Sequence, residues 1–151
     1  MASGTFDTRF GKLHALHSDA LTRYLVECRH ACDGDLDLFL IMAIIGERTF
    51  SAPRAPDSMS HDEFVTGTVG KIAPQPINLQ SIADFSGIPR ETVRRKLEIL
   101  IGRGWVQRGE HGYVTATDVA NHDLADLTSS TVRYLAAIET MLESQTVRSE
   151  V

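Results

Sequence analysis

The chain of 151 residues is 42% hydrophobic and 23% charged, ordinary globular usage that excludes wholesale disorder and collagen-like repeats. Such a length suggests one compact domain with extensions, burying roughly 70% of its unfolded surface without disulfide staples. Net charge is −5, from 15 basic and 20 acidic residues, which argues against a protein that coats nucleic acid along its whole surface.

The average hides a polarity. Between Ser86 and Arg108 stand six basic residues (Arg90, Arg94, Arg95, Lys96, Arg103, Arg108) against Glu91 and Glu98, so the rest of the chain holds nine basic and eighteen acidic residues. A compact basic patch on an acidic body is either a solvated helix face or a surface for an acidic partner.

In chain order, Phe6, Phe10, Leu13, Leu16, Ala20, Leu21, Tyr24, Leu25 and Cys28 recur at gaps of three and four, the period of a helix with one buried stripe. This predicts one helix over 7–31, about 37 Å long, with a bend near Ser18 and an end at Asp33-Gly34. Its far end is expected to pack outside the domain. Asp33 and Asp35 supply N-cap chemistry for a helix over 36–49 with almost no polar face, hence central. Its densest run, Leu36 to Ile45, is interrupted by Asp37 and too short for a membrane span. Met1 to Gly11 lacks the basic start and apolar stretch of a signal peptide. The expected location is cytoplasmic, with no membrane partner.

Residues 51–76 hold four of the five prolines, with Gly67 and Gly70, and read as a connection in which His61 to Thr68 forms a short helical turn. A short helix over 79–85 follows, then a tight break at Ser86-Gly87-Ile88, with Gly87 suited to left-handed backbone. Pro89 is expected as the first residue of a helix over 89–102. Residues 105–108 and 113–116 flank Gly109-Glu110-His111-Gly112, a hairpin signal. A last helix over 117–144 carries Val119, Leu124, Leu127, Val132, Leu135, Ile138, Met141 and Leu142 as its apolar positions.

Helix, short glycine turn, helix and hairpin make the order of a winged helix-turn-helix. At about 100° per residue, Val93, Leu97, Leu100 and Ile101 share one stripe, while Glu91, Arg94, Arg95 and Glu98 share a separate polar arc. Arg90 projects forward from the helix end. The guanidinium fork suits O6 and N7 of guanine, and a carboxylate suits N4 of cytosine, so Glu91 reads as a specificity residue. Lys96, Arg103 and Arg108 are expected on phosphates. Thr92 suits either role, Ser86 a phosphate at the turn, and His111 a groove or phosphate at the wing tip.

Gly87 to Arg95, with Leu97, Leu100 and then Gly104-Trp105-Val106, resembles the helix-turn-helix of the cAMP receptor protein family, over about 40 residues. The resemblance implies base contacts by Arg90, Glu91 and Arg95 and a phosphate contact by Thr92. Residues 1–50 read as helices where that family has a β-roll, so no cyclic nucleotide is expected. The overall order is similar to MarR-type regulators, a resemblance that implies terminal helices packed across a two-fold axis. Dimerisation also has its own argument. One reading helix covers few base pairs, whereas paired modules about 34 Å apart read a palindrome.

Other constellations read as structural. Cys28 and Cys32, four apart with His30 between them, make no disulfide framework. They continue the apolar stripe as small hydrophobes more readily than they form a metal or redox pair. His14 and His17 read as surface or packing residues. Asp33, Asp35 and Asp37 lack the glycine and terminal Glu of a calcium loop. There is no phosphate loop, nucleophile elbow or metalloprotease His pair.

The expectation is therefore a mainly α chain with a small β-hairpin wing and long N- and C-terminal dimerisation helices. Residues 1–50 form N-terminal helices, 51–76 a connecting segment, 77–116 the DNA-binding region and 117–151 a C-terminal dimerisation helix and tail. The expected activity is sequence-specific binding of double-stranded DNA by a homodimer, without catalysis, metal or cofactor. A small-molecule effector between the buried second helix and the terminal helices is compatible with this layout. The alternative is a winged helix that serves as a protein-interaction or dimerisation module.

Overall fold

A computed structural model describes residues 3–67 and 73–149. The chain is mainly helical with one small antiparallel sheet, and it divides into two compact units, Met1–Cys28 with Leu127–Val151, and Arg29–Asp126. Expected features at Thr68, Gly70 and the last two residues of the tail lie outside the described residues.

The first unit takes α1 (Ser3–Thr8), most of α2 (Phe10–Ala31) and most of α8 (Ala125–Ser149). The expected single helix over 7–31 starts earlier and breaks at Arg9, while Ser18 lies inside α2. Next to the break, the Thr8 hydroxyl donates to the Gly4 carbonyl at 2.9 Å, a back-bond of the kind that distorts helices. Within this unit Tyr24 and Tyr134 stack at 5.2 Å. Each phenol hydrogen-bonds to the other helix, Tyr24 with Thr131 at 2.8 Å and Tyr134 with His17 at 2.7 Å. Burial raises the Tyr24 pKa, so the phenol keeps its proton.

The second unit is built around α3 (Leu36–Thr49), which buries Leu38, Ile41, Met42, Ile44 and Ile45. Each such side chain contributes roughly 1.5–3 kcal/mol of burial. Before it, α2 ends in a Schellman turn. The Gly34 amide donates to Arg29 O at 2.8 Å and the Asp33 amide to His30 O at 3.2 Å, with Asp33 left-handed at φ +53°. Asp35 then caps α3, accepting from the Leu38 amide at 2.9 Å.

The connection folds into a 3-10 turn, Ala52–Arg54, and α4 (His61–Val65), opened by a capping box between Ser60 and Glu63. Then come α5 (Leu79–Ser86), capped by Asn78, and α6 (Arg90–Gly102). The hairpin is β1 (Val106–Arg108) and β2 (Val114–Ala116), in the register Val106↔Ala116, with Ile77 bridged to Val114 beside it. The expected last helix divides into α7 (Asp118–Asp123), capped by Thr117, and α8, separated at Leu124. Packing of β2, α5 and α6 on α3 forms the core, with Ile82, Val93, Leu100, Val106 and Val114 nearly or fully inaccessible.

Candidate nucleic-acid interface

The segment 78–116 carries eight of the ten expected contact residues on α6, the hairpin and its tip, with Arg103 just past the end of α6 and Ser86 at the end of α5. Its geometry starts at the turn between α5 and α6. Gly87 is left-handed at φ +75° and its amide donates to Ala83 O at 2.9 Å, a conformation that costs other residues a Cβ clash. The Ser86 hydroxyl accepts from the Ile88 amide at 3.1 Å, and buried Ile88 pins the turn to the core. Pro89 stands just outside the helix as its N-cap, so the expected range 89–102 becomes 90–102. That one-residue shift leaves Arg90 as the first helical residue.

Val93, Leu97 and Leu100 are buried and Ile101 is partly so, as the helical spacing predicts. The opposite face carries Glu91, Arg94, Arg95 and Glu98, all exposed. The basic residues of the patch are in three different situations. Arg90 and Arg95 are exposed and form no ion pair or hydrogen bond among the described residues. Arg94 is held by Glu91 on the same helix, Nε to Oε2 at 2.9 Å and Nη2 to Oε1 at 2.6 Å. The Arg94 hydrogen bond, with the charges of Arg94 and Arg95, keeps the Glu91 carboxyl below its usual range and ionised. Both groups are exposed, so water and counterions let this pair exchange partners. Arg108, on the hairpin, pairs with Glu98 of α6.

Lys96 and Arg103, expected on phosphates, point instead to the turn between α2 and α3. Lys96 is only 18% exposed and pairs with Asp35. Arg103 donates to Asp33 at 2.6 Å, and its guanidinium lies 4.9 Å from the centre of the Trp105 ring. These two cations hold α6 to the core. Burial pushes the Asp35 carboxyl up, but the Lys96 hydrogen bond, the Leu38 amide and the Lys96 charge outweigh it and leave it below the usual carboxylate range.

Thr92 is half-buried, and His111 is exposed at the hairpin tip, left-handed at φ +56° between Gly109 and Gly112. Buried Trp105 anchors the hairpin base, its indole N–H donating to Asp123 at 2.9 Å. That hydrogen bond, with His122, lowers the Asp123 pKa. The residues that sequence reading missed here are the acidic partners, Asp33 and Asp35 in their second role, Glu98 and Asp123. A further omission is Ile99, 44% exposed on the outer side of α6. A helical wheel finds Ile99, but no local pattern pairs Asp33 with Arg103, 70 positions away.

Cys28 and Cys32 are not joined in a disulfide and are 0% and 1% exposed. Burial raises the Cys32 pKa against the pull of Arg103, the opposite of a reactive thiolate. Among the described residues, no group of three His, Cys, Asp or Glu side chains is placed to hold a metal ion, and no helix is long and apolar enough to cross a membrane. No protein-family model matches the chain, and no curated protein or solved structure matches it either.

Proposed function

We propose that this chain is a winged helix-turn-helix regulator that binds double-stranded DNA as a homodimer, with α6 in the major groove and the hairpin as its wing. The observation that carries this reading is the division of labour on α6. One side is locked to the core through Val93, Leu97, Leu100, Lys96 and Arg103, while Arg90 and Arg95 stand exposed and unpaired on the other. A rigid helix with free guanidinium groups on its outer face suits the acceptor pair of guanine. Arg94, Glu91 and Arg108 take part by exchanging their exposed partners for bases or phosphates. Ser86 retains a hydroxyl proton for a phosphate while accepting from Ile88.

The competing reading, a winged helix that docks protein, is favoured by one observation: four of the six basic residues of the patch already have acidic partners within the chain. Selection of bound fragments from random duplex DNA decides between them. A sequence-specific dimer returns a palindrome with half-sites about one helical turn apart. On such a site Arg95→Ala should cost roughly 1–3 kcal/mol and relax discrimination at one position. Lys96→Met should lower stability and leave the salt dependence of binding unchanged. Recovery of no enriched sequence would favour protein docking.

A further inference from the structure

The outward face of α6 is charged or polar at Glu91, Thr92, Arg94, Arg95 and Glu98, and it carries one large apolar residue, Ile99. At about 100° and 1.5 Å per residue, Ile99 lies about 40° around the helix from Arg95 and about 6 Å further along its axis. It is 44% exposed, whereas Leu97 and Leu100 on either side are at 3% and 0%. Its exposure is therefore not fraying at the helix end, since its neighbours are fixed in the core. An isolated surface isoleucine needs no explanation by itself. This one shares a face with the free guanidinium of Arg95, in the last turn of an element that is otherwise polar on that side.

Resting on the DNA-binding reading above, we propose that Ile99 is a specificity-determining residue that packs on the C5-methyl group of a thymine. Each half-site then carries guanine, read by Arg95, and thymine about two base-pair steps away, since 6 Å along the groove spans about two 3.4 Å steps. The C5-methyl is the only apolar group that base edges present in the major groove. An isoleucine has no donor or acceptor, so it can read nothing else there. It also leaves no unsatisfied polar atom when water is expelled. Opposite cytosine or guanine, the same side chain strips water from an amine or carbonyl and offers nothing in return.

The test replaces thymine by deoxyuridine, which deletes the methyl and keeps the Watson–Crick edge. The full-length protein, Ile99→Ala and Ile99→Leu are titrated on the selected duplex with each thymine replaced in turn. Burial of one methyl-sized group corresponds to about a fourfold change in affinity. The expected result is one thymine per half-site whose replacement weakens the natural protein by about that factor. Ile99→Ala should bind the thymine duplex several-fold more weakly and be indifferent to deoxyuridine there, while Ile99→Leu keeps the sensitivity. Unchanged helical circular dichroism and unfolding midpoint show that both variants are folded. Indifference of the natural protein at every position overturns the proposal, as does retained sensitivity in Ile99→Ala. Normal binding by Ile99→Ala on every duplex also overturns it and leaves Ile99 as a contact for another protein. Absence of any duplex binding overturns the DNA reading itself, which the selection reports before any deoxyuridine duplex is made.

Discussion

Thr49 shows how one buried hydroxyl ties the hairpin to the core. It is 7% exposed on the last turn of α3, its hydroxyl donates to Ile45 O at 2.8 Å, and its oxygen accepts from the Ala116 amide at 2.9 Å. The β2 strand thus ends on a side-chain partner where the two-stranded ladder offers none. Thr49→Val keeps the shape and leaves a half-buried amide without its acceptor, so it should destabilise by about 1–3 kcal/mol in urea unfolding. Thr49→Ser, which keeps the oxygen, should cost well under half of that. Equal losses for the two would mean that the methyl group, and not the hydrogen bond, holds the strand. Nothing in the local sequence marks this residue. A threonine near the end of an apolar helix reads as a terminus, and its partner is 67 positions away.

Among the elements, α6 depends most on groups outside itself. Asp35 caps α3 and pairs with Lys96, so one carboxylate joins two helices. Asparagine also caps well, which separates the roles. Asp35→Asn should lose only the ion pair, up to about 1 kcal/mol for a partly exposed contact. Asp35→Ala should lose about 1 kcal/mol more with the cap. Because the Asp35 pKa is lowered on folding, its contribution is fully present above the unfolded value of about 3.9 and disappears as pH falls through the lower folded value. The stability gap between the natural protein and Asp35→Asn should be flat from pH 7 to pH 5 and close below about pH 4. A gap that persists at the acid end would assign the effect to something other than this charge. The elements themselves were legible because periodicity and capping are local. Leu38 to Ile45 predicted a buried α3, Val93, Leu97 and Leu100 the inner side of α6, and Asp35, Asn78 and Thr117 stand at helix starts. The breaks at Arg9 and Leu124 and the inward turn of Lys96 and Arg103 were not legible. A Thr8 back-bond accompanies the first break, and the inward turn depends on partners 61 and 70 positions away.

At the scale of the whole molecule, the terminal unit poses a problem of solvation. Among its described side chains, Leu13, Cys28 and Leu127 are buried, whereas Phe6, Phe10, Leu16, Leu25, Val26, Val132, Leu135 and Leu142 are each at least 38% exposed. Helices need a second layer to cover an apolar face, and on α8 the exposed Val132, Leu135 and Leu142 share one side of the helix. Val132, Leu135, Ile138 and Leu142 line one open groove of α8, at the 3–4 spacing that packs helix on helix. The homodimer proposed above would seat the same groove of a second copy here, since a two-fold interface pairs one patch with itself. Sedimentation at micromolar concentration should therefore give a dimer. Leu135→Lys, which sets a charge in the centre of that groove, should give a folded monomer, since Leu135 is 59% exposed and contributes little to its own chain. DNA affinity should then fall steeply, because the two half-sites are no longer held together. A natural protein that sediments as a monomer with and without duplex would remove the dimer from the proposal. A dimeric Leu135→Lys would move the interface to another face of the terminal helices.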